Sequence, residues 1–413
     1  MIKSLQTTID FTQRNRTIDI LRALTMLLMI FVNDFWSISD VPQWMLHAKR
    51  DQDMLGLSDV VFPCFLFVVG MSIPFALERR FGKGLSGVST VGHILTRSLA
   101  LLLMGVFIVN TEAGISPEVN ISYSVYRILM VIGFLLVWNA YPRSESAGVN
   151  LFYTLLKFVG ILLLIYLAIV FRSPSGGVLQ ARWWGILGLI GWTYLVCAFV
   201  YLFTRDRLKY LIPVWLVFIT LCILLSNTRE GTPLLNLPPK NFLDEFLRIL
   251  HIENGALPAF TMGGIILSLI STRYNRISNR KKITAILVIV AFLLLAGFIS
   301  HQFWITSKLQ STPPWVFYCT AISAGAYAIL YWLVEKGKAH WFNLIKVAGT
   351  ATLTCYLVPF VVANIPYHLK QMGVEVPAWI TTGYVGLLNS AIYAFMVIGI
   401  TYLLGRVYIK LKI

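Results

Sequence analysis

Apolar runs recur along almost the whole chain, and nothing else in the sequence limits its fold so strongly. Runs of about 17–25 residues cross a bilayer as helices. Such runs are predicted at 17–35, 57–77, 93–111, 122–140, 151–171, 183–203, 210–226, 255–271, 283–302, 315–334, 344–364 and 380–404. The hydrocarbon core offers no water to unpaired backbone groups, so these runs must close their hydrogen bonds internally as helices. Of 413 residues, 57% are hydrophobic and only 13% charged. No connecting segment is long enough to hold a core of its own. The expectation is an all-α, polytopic integral membrane protein of about twelve helices. It reads as a single transmembrane domain over 1–413, with 1–16 a cytoplasmic segment.

The basic residues give the orientation. With the N-terminus inside, most of the 34 Lys and Arg fall on inner segments, and most of the 18 acidic residues fall on outer ones. The positive-inside rule then places both termini in the cytoplasm, and polar chemistry gathers outside. The same distribution accounts for the net charge of +16 without nucleic acid, because the cations sit in short loops with no binding module around them. The first run follows a basic, polar start and is long enough to span, so it is expected to be a retained anchor. The five cysteines lie inside apolar runs at no metal-like spacing, and neither they nor His251, His301 and His368 suggest a metal site. Within the long outer segment 227–254, Asn241–Ile252 reads as a short amphipathic helix lying on the surface.

The richest local pattern is NDFWSISDVPQWMLHAKRDQDMLGLSDVVFPCFLFVVGMS, from Asn33 to Ser72. One apolar run ends in Asn33 and Asp34, a polar loop carries His47, Asp51 and Asp53, and a second run opens at Asp59. Ionisable groups at the mouths of apolar helices are costly and therefore read as functional. An imidazole among carboxylates moves protons near neutral pH. Asp59 also stands where a helix cap is needed, because Ser58-Asp59 precedes the second run. Arg127, within a span, must face protein or water, since an unpaired arginine in lipid costs at least about 3 kcal/mol. Trp44 and Trp304 stand where a sugar ring can stack, although most tryptophans near span ends read as an interfacial belt.

The blocks T-I-D-I-L-R-A at 17–23, F-V-N at 31–33 and S-D-V-V-F-P-C-F-L-F-V-V-G-M-S at 58–72, with a histidine between the last two, carry a resemblance. So do S-K-L-Q-S-T-P-P-W at 307–315, which holds Lys308, and Arg127. The chain resembles the heparan-α-glucosaminide N-acetyltransferase family and its bacterial relatives, most densely over 17–80. The resemblance implies transfer of an acetyl group from cytosolic acetyl-CoA to an amino sugar across the membrane. It places the active-site histidine on His47 and the active-site asparagine on Asn33. The family's D-P-E-G stretch appears here as H-I-E-N-G at 251–255, which keeps Glu253 only. About two spans around 151–226 are additional, and the lumenal domain of the animal enzymes is missing.

Physical chemistry assigns the parts. His47 serves as general base, or accepts the acyl group itself. Asn33 donates to the developing oxyanion. Asp34, Asp53 and Asp59 orient the imidazole or hold the sugar amine, and Arg127, Glu253, Lys308 and Trp44 complete the acceptor site. Arg22, Arg97 and Lys346, at inner span ends, suit the phosphates of acetyl-CoA, the co-substrate; no metal is expected. The expected partners are the lipid bilayer of a bacterial inner membrane and an amino sugar or glycan. Nucleic acid is excluded, and a homodimer stays an open option. The rival reading is a secondary transporter for a sugar or amino sugar, which twelve spans and intramembrane charges also suit.

Overall fold

The computed structural model describes residues 15–142, 144–236, 241–273, 278–363 and 377–413. Beyond helices and turns, the backbone pairing of these residues reduces to isolated bridges at Ser39–Thr382, Asn139–Leu411 and Asn227–Pro233. The helices are α1 (Arg16–Asn33), α2 (Leu57–Gly82), α3 (Gly87–Glu112), α4 (Tyr123–Trp138), α5 (Ala147–Val170), α6 (Gly185–Thr204) and α7 (Leu208–Leu225). They continue as α8 (Phe242–Ile249), α9 (Ala256–Arg273), α10 (Asn279–His301), α11 (Pro313–Glu335), α12 (Phe342–Thr350), α13 (Thr352–Val362) and α14 (Gly383–Arg406).

Every apolar run predicted as a span falls on a helix, and the run at 344–364 falls on two, with residue 364 outside the described residues. Among the described residues, eight helices are long and apolar enough to cross a bilayer (α2, α3, α5, α6, α7, α10, α11 and α14), and α4, α9 and α13 are shorter apolar helices. The chain is therefore an all-helical, multi-pass membrane protein. The eight fall short of the twelve runs for local reasons. Helix α1 carries Arg16, Asp19 and Arg22 within 18 residues. Helix α4 has only 16 residues, and α9 is a shorter apolar helix over Ala256–Thr272. The run at 344–364 is interrupted at Ala351, whose φ of −126° and ψ of 43° are not helical. The amphipathic helix expected at Asn241–Ile252 forms as α8, shorter than read, with Phe242 and Ile249 exposed and Leu247 buried.

Two compact units divide the chain. The first takes in Met1–Leu21, His47–Leu95 and Trp192–Trp341. Its centre is α2, which packs on α9 and α11, while α10 pairs with α11 and α7 with α9. Glycines let α2 and α9 approach closely: a Cβ on Gly70 would lie 1.9 Å from the Thr261 carbonyl oxygen, and one on Gly264 would lie 2.0 Å from that of Phe67. Small residues serve this purpose in lipid, where dispersion and close backbone approach replace the hydrophobic drive. Near the other end of α2, Glu78 accepts from Tyr201 Oη and Arg205 Nη1, each at 3.1 Å.

The second unit takes in Arg22–Leu46, Thr96–Gly191 and Phe342–Ile413. Helix α4 packs on α5 and α13, and α14 packs on α12 and α13. Helix α5 presents Leu151, Phe152, Leu155, Phe158 and Leu162 on its exposed surface, as a lipid-facing helix must. At the interruption after α12 the Gly349 carbonyl accepts from Arg22 Nη1 at 3.3 Å. A side chain thereby meets one of the carbonyls that a broken helix leaves unpaired.

Candidate active site

The site in the first unit is built on the start of α2. Gly56 is the cap, and Asp59 is the third helical residue. The Asp59 amide donates to the Gly56 carbonyl at 3.0 Å, and the Asp59 carboxylate Oδ2 accepts the Gly56 amide at 3.2 Å. This reciprocal pair closes the helix terminus. The carboxylate does more than cap: Oδ2 also accepts the Ala48 amide at 2.9 Å, and Oδ1 lies 2.7 Å from Nδ1 of His47. The Asp59 side chain is 1% exposed and that of His47 36%. A buried carboxylate is tolerable only when its lone pairs are met, and here the cap, the preceding loop and the imidazole meet them. With Nδ1–H given to Asp59, the tautomer assigned from that bond keeps the Nε2 lone pair for chemistry. The Trp315 indole donates to the Asp59 carbonyl at 3.0 Å, which ties α11 to the same residue.

Lys308 joins the pair from the segment between α10 and α11. Its Nζ is 3.5 Å from Nδ1 of His47. Burial pulls the Lys308 ammonium below the usual lysine range, against the opposing pull of Asp59 and Cys319. An ammonium, an imidazole and a carboxylate therefore stand together at the end of α2.

The loop carrying His47 is fastened along its length to residues 302–312. Gln310 Nε2 donates to the Arg50 carbonyl at 2.9 Å and to Asp51 Oδ1 at 3.1 Å. Ser307 Oγ donates to the Arg50 carbonyl at 3.1 Å, and the Met54 amide donates to the Thr306 carbonyl at 3.2 Å. Asp53 is enclosed by donors: Arg229 Nη2 at 2.7 Å, the Thr306 amide at 2.8 Å, and His301 Nε2 at 2.9 and 3.0 Å from its two oxygens. Burial raises the Asp53 carboxyl, but the Thr306 amide, His301 and Arg229 together hold it below the ordinary aspartate range.

Glu253 lies in the turn before α9, where His251, Glu253 and Gly255 all take positive φ (49°, 51° and 83°). Burial raises its carboxyl above the usual range. Beside it, Asn254 caps α9 through the Ala256 amide at 3.2 Å and donates to the Ser311 carbonyl at 2.8 Å. Trp304, read as a stacking surface, is instead buried, with its indole N–H on the Ser226 carbonyl at 3.2 Å.

The remaining residues singled out in the sequence belong to the second unit. Asn33 ends α1, and Asp34 opens a 3₁₀ turn and accepts a short hydrogen bond from Ser390 Oγ on α14. The Arg127 guanidinium lies over the rings of Tyr123 and Phe360, at 5.3 and 5.2 Å from their centroids, and its charge acts on Glu112. It faces protein, as an arginine within a span must. Trp44 is exposed. Arg22 meets the α12 terminus as described, Arg97 lies on α3, and Lys346 is exposed on α12. Sequence reasoning missed the contribution of His301 and Arg229. They lie 248 and 176 residues from Asp53, and no spacing rule links them. Among the described residues no group of three or more His, Cys, Asp or Glu is placed to hold a metal.

An all-helical membrane protein with a histidine–aspartate pair at the end of a central helix is the class that fold and site define. The family described as a domain of unknown function (DUF5009) matches residues 14–252, more than half of the chain, and this protein belongs to it. It is also weakly similar to heparan-α-glucosaminide N-acetyltransferase from Mus musculus and from Homo sapiens. Each is 32% identical over 108 residues, which is 25% of this chain and 15% of the relative. The alignment thus spans under a fifth of those proteins' length.

Proposed function

We propose that this protein is a membrane acyltransferase that takes an acetyl group from cytosolic acetyl-CoA and places it on an amino sugar or glycan outside a bacterial inner membrane. The observation that carries this reading is the 2.7 Å bond between Nδ1 of a part-exposed His47 and the buried Asp59 carboxylate. A nucleophilic amine must lose a proton as it attacks a thioester carbonyl. His47 accepts that proton at Nε2 while Nδ1–H stays on Asp59, which fixes the ring and balances the imidazolium charge. The C–N bond forms, the C–S bond breaks, and the coenzyme thiolate leaves, with the proton returning from His47. Lys308 sets a positive charge beside the pair, which favours the negative charge that develops on the carbonyl oxygen. Arg22, Arg97 and Lys346 are candidates for the phosphates on the ground of charge.

The purified protein in detergent, given acetyl-CoA labelled in the acetyl group and a panel of amino sugars, is expected to transfer label. His47→Ala is expected to keep its unfolding temperature and lose transfer by about 10²–10⁴-fold. Undiminished transfer in that variant would refute the role of His47. Absence of both label transfer and a thermal shift with acetyl-CoA would refute the function.

A further inference from the structure

Three segments distant in the chain close on one carboxylate outside the His47–Asp59–Lys308 group. Asp53 belongs to the loop that begins with His47. Arg229 follows α7, and His301 ends α10. Arg229 does not merely touch Asp53. Its Nη2 and Nε also donate to the His301 carbonyl at 2.9 and 3.2 Å, and its own amide donates to the Phe303 carbonyl at 2.9 Å. The guanidinium is therefore fixed to the end of α10 before it reaches Asp53. His301 meets both oxygens of the same carboxylate, and the Thr306 amide takes the fourth contact. Charge-assisted bonds of this kind are roughly twice as strong as neutral ones, and a planar guanidinium adds direction.

Asp59 fixes the two ends of the loop, through Ala48 and Gly56. Asp53 fixes its middle. Its side chain has each oxygen already engaged by donors of the protein, a poor state for binding a substrate and a good one for holding backbone.

We propose that Asp53, His301 and Arg229 form a clasp that holds the 47–56 loop in register with residues 302–312, so that all three are positioning residues for His47 and do not themselves touch substrate. The proposal rests on His47 acting as the base, and it assigns Asp53 to the frame of the site. Four contacts from Arg229, His301 and Thr306 also explain why an arginine, a histidine and a carboxylate meet at this point.

The test combines hydrogen–deuterium exchange with steady-state kinetics on the full-length protein in detergent. In Asp53→Asn and Arg229→Gln, amides of 48–55 and 303–307 are expected to exchange about ten-fold faster, with α2 and α11 unchanged. The same variants are expected to lose about ten-fold in kcat for acetyl transfer, with KM for acetyl-CoA and for the amino sugar within two-fold of the wild type. Arg229→Lys, which restores the charge but not the fork, is expected to fall between. A KM for the sugar raised ten-fold with exchange unchanged would overturn the proposal, because Asp53 would then be a ligand. Faster exchange with kcat unchanged would overturn it equally. If the wild type transfers no acetyl group, the reading of function fails, and exchange alone decides for or against the clasp. Should Asp53→Asn fail to fold, His301→Gln, which removes only one partner, supplies the same two readouts.

Discussion

Asp59 shows how much one side chain can be asked to do. Its carboxylate is buried, and its two oxygens meet two backbone amides and an imidazole. A carboxylate accepts at both oxygens, whereas an amide of the same shape turns one of them into a donor. In Asp59→Asn the new NH₂ group must face either the Ala48 and Gly56 amides or Nδ1–H of His47. Facing the amides sets donor against donor in a dry place, at a cost of about 1–3 kcal/mol. Facing His47 forces the other tautomer, which moves the proton to Nε2 and removes the base. The expected outcome is a lower unfolding temperature together with a loss of transfer of about 10²–10⁴-fold, read by thermal scanning and a label assay. That a carboxylate partners His47 is legible from the motif, which offers Asp34, Asp53 and Asp59 alike. The pairing of Asp53 with His301 and Arg229 is not, since it depends on where α7 and α10 end in space.

At the scale of elements, α2 was the most legible and its packing the least. The apolar run, the polar residues before it and the cap signal at Ser58-Asp59 all point to a helix starting near residue 57, and α2 begins at Leu57. The partner of that helix was not legible, because an apolar face fits any other. Gly70 and Gly264 are where the choice was made: a methyl group at either would enter a backbone carbonyl of the facing helix. Gly70→Ala and Gly264→Ala are each expected to destabilise the protein by roughly 1–3 kcal/mol or more, since backbone cannot move aside as a side chain can. Gly82→Ala meets nothing within 4 Å and serves as the control, expected to be neutral. The comparison is read from yield and unfolding temperature in detergent. The interruption at Ala351 was equally hidden. No proline marks it, and the Arg22 contact that meets the Gly349 carbonyl comes from 327 residues away.

For the whole molecule, the sequence carries a topology that can be checked directly. If the N-terminus is cytoplasmic, the segment holding Glu230 is outside and the turn holding Lys83 is inside. In a cysteine-light background, Glu230→Cys is expected to react with a membrane-impermeant maleimide in intact cells, and Lys83→Cys only after permeabilisation. The reverse pattern would invert the orientation and move His47 to the cytoplasmic face. What the sequence by itself determined is the class of fold, the position of nearly every helix and the short motif around His47. Each of these rests on local physics: the free energy of burying an apolar run in lipid, the obligatory closure of backbone hydrogen bonds there, and the caps and charges at helix ends. What only the tertiary structure decided is which carboxylate serves the imidazole and which serves the frame. Asp53 and Asp59 are alike in sequence, six residues apart in one polar stretch. They differ because Asp59 is sealed beneath α11 by Trp315, whereas Asp53 meets an arginine and a histidine brought from distant segments. Such a difference arises from packing at long range, which no local pattern encodes.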